Sequence, residues 1–147
     1  MPRDRATHTC FGYISPTRLD QIARYSQADI TPDRFRRANA DIVAYRLLLD
    51  IMLYHPNPVV RHEVPFVAVE VGLAEDFLPW FMTVVKFDAS TICKHEAVEA
   101  IGRVRGRDAV QARRFLERLL EAERYDNGVY HPDVESTIRE ALGSLRE

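Results

Sequence analysis

The sequence predicts an all-α fold, a solenoid of stacked antiparallel helix pairs, and three observations predict it. Segment after segment carries apolar residues at helical spacing behind a helix-starting residue, and no run alternates at the two-residue period of a strand. One helical stretch is also repeated 33 residues later, from His62 to His95. At that offset VVRHEVPFVA from Val59 lies against ICKHEAVEAI from Ile92, so that Val60 faces Cys93, Arg61 faces Lys94 and Ala68 faces Ile101. Self-similarity of this period marks helix pairs that bury their apolar stripes against their neighbours.

The elements follow in order. Residues 1–12, with Pro2 and mixed charge, read as a loosely held tail, and Ser15-Pro16 opens a helix to about Ala28. Thr31-Pro32-Asp33 starts a helix that reaches Tyr54, its apolar face broadening toward the C-terminal end as expected for a helix entering a core. His55-Pro56-Asn57-Pro58 stops it. The first repeat helix spans Pro58 to Val71, with Asn57 as cap and Pro58 at the first position. Pro65 inside it predicts a kink or an early interruption, because proline lacks the N–H of the helical ladder. Gly72 ends this helix, and Glu75 to Phe87 forms its aromatic-rich partner, with acidic residues in the first turn where the helix dipole favours them. After the turn Asp88-Ala89-Ser90, the second repeat helix runs from Thr91 to Val104, followed by Gly106. Asp108 to Glu123 is amphipathic, Tyr125-Asp126-Asn127-Gly128 is turn-rich, and a last helix runs from His131-Pro132-Asp133 to Leu145. Setting Leu142-Gly143 on Ile101-Gly102 makes this last helix a third copy, with Ser136 and Thr137 where His95 and Glu96 stand. It reads as a capping repeat.

A length of 147 residues suits one domain spanning the whole chain, with enough material for a substantial core. A net charge of −2 exerts no bulk pull on nucleic acid. No apolar stretch approaches the roughly 20 residues that cross a bilayer, and the opening MPRDRATHTC lacks the apolar region of a secretory signal. The expectation is a cytoplasmic protein with neither a membrane nor a nucleic-acid partner. Cys10 and Cys93 have no metal or redox spacing, and Cys93 matches the apolar Val60, so it reads as a small buried hydrophobe.

The chemistry lies in His62-Glu63 and His95-Glu96, which occupy one repeat position. Adjacent helical residues diverge by about 100°, so each pair fans across a surface rather than pointing at one spot. Neighbouring helices about 8–10 Å apart let side chains from equivalent positions converge between them. Two imidazoles and a carboxylate with open positions suit oxygen-activating non-haem iron and also some catalytic zinc sites. His8, His55 and His131 lack such company; His55 and His131 precede prolines near helix boundaries, where turn or capping roles fit. The arginines at 103, 105, 107, 113, 114 and 118 read as a solvated helix face, and Tyr45, Tyr54, Trp80 and Phe81 as packing residues.

RHEVPFVAVEVG, KHEAVEAIG and the closing DVESTIREALG resemble deoxyhypusine hydroxylase, a HEAT-like α-solenoid whose two halves each carry two His-Glu motifs in successive repeats. The likeness covers Asn57 to Leu145. It implies a dioxygen-activating hydroxylase with a non-haem di-iron site, each half supplying two His and one Glu to one iron. Carried over by position, His62, His95 and Glu96 are the metal ligands, while Glu63 is the catalytic-site carboxylate that holds a cationic group of an amine substrate. This chain has two motifs where the family has four, so it supplies half of a di-iron centre, and a two-fold homodimer restores the rest. The substrate is then a small molecule or a protein side chain. Two alternatives stay open: a metal-free HEAT-like module for protein binding or assembly, and a zinc-dependent hydrolase.

Overall fold

The computed structural model describes residues 10, 14–36, 42–125 and 132–146. Among the described residues eight helices follow one another: α1 Pro16–Ala23, α2 Pro32–Arg36, α3 Ile42–Tyr54, α4 Pro58–Glu70, α5 Ala74–Phe87, α6 Thr91–Ile101, α7 Arg107–Tyr125 and α8 Pro132–Ser144, with a 3₁₀ turn at Gln27–Asp29. Among the described residues the only β pairing is an isolated bridge between Arg105 and Arg146, so the fold is all-α. Among the described residues no helix is long and apolar enough to cross a membrane.

Helices α3, α4, α6 and α8 pack side by side in that order, and α5 and α7 form a second row, α5 against α6 and α4, α7 against α8 and α5. The 33-residue offset is built into both rows: α4 begins at Pro58 and α6 at Thr91, α5 at Ala74 and α7 at Arg107. Matching positions are buried together, Val60 with Cys93, Val64 with Ala97, Val67 with Ala100, Ala68 with Ile101 and Val71 with Val104. The caps match too. Asn57 Oδ1 accepts from the Val59 N–H at 2.9 Å and Ser90 Oγ from the Cys93 N–H at 3.4 Å. Gly72 and Gly106, at φ +85° and +70°, turn the chain into the second row through a left-handed conformation that side chains disfavour.

Several expectations change in detail. Helix α1 ends at Ala23, and Ala28 falls in the 3₁₀ turn, where Asp29 accepts at 2.9 Å from both the backbone and the hydroxyl of Ser26. Such local bonds compete with a continuing helix. The single helix expected from Asp33 to Tyr54 is represented by α2 and α3, with 37–41 outside the described residues. Pro65 does not interrupt α4, which continues to Glu70. Helix α6 stops at Ile101 rather than Val104, because the Arg103 and Val104 amides turn back to the Ala100 and Ile101 carbonyls. Helix α7 is longer than expected at both ends. The tail over 1–12, apart from Cys10, and His8, His131 and the turn at 126–128 lie outside the described residues. Cys10 is buried, and its amide donates to the Leu53 carbonyl at 2.8 Å.

The core holds one ion pair that the sequence pattern concealed. Arg61, 1% exposed, donates to both oxygens of the buried Asp88, from Nε at 3.1 Å and Nη2 at 3.0 Å, and its Nη1 donates to the His55 carbonyl at 2.7 Å. Asp88 also accepts from the Ser90 amide, so the pair joins the start of α4 to the turn before α6. His55 is a turn residue, as its position before Pro56 suggested: Nε2 donates to the Tyr25 carbonyl at 2.7 Å and Nδ1 accepts from the Asn57 amide at 3.0 Å. Burial holds its pKa below the usual histidine value.

Candidate metal centre

The outer stripe of α6 runs through the exposed Ile92 and Glu99 and the half-buried His95 and Glu96, steps of three and four residues that share one helix face. On α4 the corresponding stripe is Val59, His62, Glu63 and Phe66. The opposite faces are consumed by the core, with Cys93, Ala97 and Ala100 on α6 and Val60, Val64 and Val67 on α4. The repeat thus places both His-Glu pairs on the unburied side of adjacent helices.

His95, Glu96 and Glu99 converge: among the described residues they form the group of three whose ligand atoms all lie within 4.8 Å of one another. His95 Nε2 is 3.3 Å from Glu99 Oε1 and 4.0 Å from Glu96 Oε1. His62 stands outside this trio. Its Nδ1 is tied back to the Val59 carbonyl of its own helix, and its Nε2 lies 3.3 Å from Glu63 Oε1. Glu63 in turn accepts from the Gln27 side-chain amide at 2.6 Å. The four expected residues therefore form two local pairs, and Glu96 links them electrostatically. Burial raises the Glu96 pKa, the Glu99 carboxylate adds to the rise, the His95 and His62 imidazoles oppose it, and Glu63 contributes a smaller push upward. Glu96 is within the field of both pairs.

Both imidazoles have Nδ1 engaged and Nε2 turned toward carboxylates. A backbone carbonyl can only accept, so His62 donates from Nδ1 to Val59. Fixing one ring nitrogen through a backbone or side-chain acceptor leaves the other free to bind a metal. One imidazole and two carboxylates with room for further ligands form an intermediate N/O donor set that fits divalent iron, manganese or zinc; it offers no soft thiolate. Cys93 is indeed a buried apolar filler: it is 2% exposed, and burial pushes its thiol up to about 11. Cys10 is likewise pushed up to about 12.

Grooves flank the trio on both sides. One of about 580 Å³ lies between α6 and α8, lined by Ile92, His95, Ser136 and Thr137 among others; another lies between α4 and α6 along Phe66, Val69, Glu96, Glu99 and Arg103. Glu99 was not among the residues singled out from sequence, although its spacing of four from His95 carries the signal. The arginines at 103, 105, 107, 114 and 118 are exposed, as a solvated face requires. Phe81 is fully buried and Tyr45, Tyr54 and Trp80 pack against the core. No family model, curated protein or solved structure matches this chain.

Proposed function

We propose that this chain is a HEAT-like non-haem iron hydroxylase that activates dioxygen in the manner of the deoxyhypusine hydroxylases it resembles, with a homodimer supplying the two halves that those proteins carry in one chain. The convergence of His95, Glu96 and Glu99 carries the reading, because it gathers a transition-metal donor set on a surface open to a substrate. Bound iron supplies the redox chemistry by which dioxygen is activated toward a C–H bond.

The chain's own residues do the rest. His95 and Glu96 hold the metal and Glu99 adds a second carboxylate, while His62, which lies outside this trio beside Glu63, is the further imidazole that the neighbouring helix offers. Glu63, braced by Gln27, stands at the edge as a negative group suited to an amine substrate. An open face of this kind does not exclude water unaided. The apolar side chains beside the pairs, Val59, Phe66 and Ile92, are exposed at 42%, 50% and 42%, which supports burial against a second copy of the same surface. Such a dimer brings two metal sites together and encloses them.

Metal analysis of aerobically purified protein tests the reading. Expected is about one iron per chain in a dimer, lost in His95→Ala and Glu96→Ala. A folded protein that takes up no metal would remove it. The same donor set suits zinc, so zinc without oxygen consumption would favour a hydrolase in which bound water is the nucleophile.

A further inference from the structure

The third repeat lacks a His-Glu pair, yet its helix α8 reaches the candidate metal centre through one side chain. Thr137 Oγ1 lies 2.7 Å from His95 Nδ1 and 2.7 Å from the backbone carbonyl of Asp133, one turn earlier in α8. A threonine hydroxyl has a single proton. The Asp133 carbonyl can only accept, so that proton is committed to it. The hydroxyl oxygen must then accept from His95, which places the imidazole proton on Nδ1. In the neutral ring Nε2 then turns a lone pair toward Glu99 Oε1 at 3.3 Å and Glu96 Oε1 at 4.0 Å, an arrangement of acceptors that a cation between them stabilises.

We infer that Thr137 is a positioning residue that holds His95 in the Nδ1–H tautomer, with Nε2 presented as a metal ligand. This rests on the metal-site reading above. Burial makes the arrangement durable: Thr137 is 4% exposed, so water does not readily replace its contact with the ring. By register it occupies the position that Glu96 holds in the preceding repeat. The closing repeat has therefore exchanged a ligand for the group that orients one. Outer partners of metal-binding histidines act this way, and their loss typically weakens metal binding about 10–100-fold.

The test uses the full-length protein labelled with ¹⁵N in histidine, together with Thr137→Val and Thr137→Ser. Long-range ¹H–¹⁵N correlation of the metal-free protein, at a pH where the ring is neutral, reports the tautomer of His95. Titration with Fe²⁺ under anaerobic conditions, and with Zn²⁺, reports affinity. Wild type should show the Nδ1–H form. Thr137→Val should lose that preference and bind metal about 10–100-fold more weakly, and Thr137→Ser should restore both. Unchanged tautomer and affinity in Thr137→Val would overturn the inference while leaving the metal site standing. Wild-type protein that binds neither ion would instead remove the metal reading, and the tautomer comparison would still decide what Thr137 does. Urea midpoints of the three proteins separate this effect from a general loss of stability.

Discussion

At the residue scale, Glu96 is placed against the preference of the fold. Its carboxyl is partly buried beside Glu99, and these two influences raise its pKa despite the neighbouring imidazoles. A carboxyl whose folded pKa exceeds its unfolded value costs the fold nothing when protonated in both states. The cost grows as pH rises from the ordinary Glu range toward the raised value. Metal-free Glu96→Gln should therefore melt higher than wild type at neutral pH, with the advantage shrinking as pH falls through that interval. Thermal melts at stepped pH, in chelator, check this; an advantage that does not vary with pH would contradict it. The gain should come with loss of metal binding, as expected where a destabilised group is retained for function. Arg61 is the opposite case. Removing it by Arg61→Ala strands the buried Asp88 carboxylate, and breaking a buried pair in this way costs about 3–5 kcal/mol, readable as a shift in urea midpoint.

At the element scale, the distance between α6 and α8 sets whether Thr137 can reach His95. Gly102 allows their closest approach, since a Cβ built there would lie 2.9 Å from both Cα and Cβ of Ala141. Gly102→Ala must push α8 outward, and overpacking of this kind costs about 1–3 kcal/mol. Equilibrium unfolding should register that loss, and the His95 tautomer should lose its definition in the same variant. A wild-type stability for Gly102→Ala would show that the helices can separate freely. The sequence made most of this layer readable. The 33-residue offset located both repeat helices and their caps, because Asn57 and Ser90 bond the first-turn amides of their own helices and depend on nothing distant. Boundaries moved where local bonds competed, as at the Ser26–Asp29 turn. Glu99 escaped notice because comparing repeats highlights what both copies share, and its counterpart is Phe66. The same comparison set Arg61 against Lys94 and so concealed a buried ion pair. Thr137 could be placed in register from sequence, but its contact with His95 spans 42 residues and exists only through packing.

At the scale of the whole molecule, the proposed chemistry needs two copies of one face. The four metal-capable residues of the repeated pairs, with the exposed Val59, Phe66 and Ile92 beside them, lie on α4 and α6. An isologous interface sets each such surface against itself, so one substitution changes the interface twice. Val59→Asp with Ile92→Asp should convert a dimer into a folded monomer in sedimentation velocity. The monomer should keep metal binding, since His95, Glu96 and Glu99 come from a single chain, and should lose protection of the site from solvent. A wild-type chain that is monomeric at high concentration would detach the proposed chemistry from dimerisation.

Anaerobic titration of the metal-free protein with Fe²⁺, wild type beside His95→Ala, bears most directly on the central claim that these side chains form a metal site. Wild type should saturate at about one Fe²⁺ per chain and His95→Ala should show no saturable binding, with both proteins equally helical by circular dichroism. Equal binding by the two proteins, or none by either, would contradict that claim.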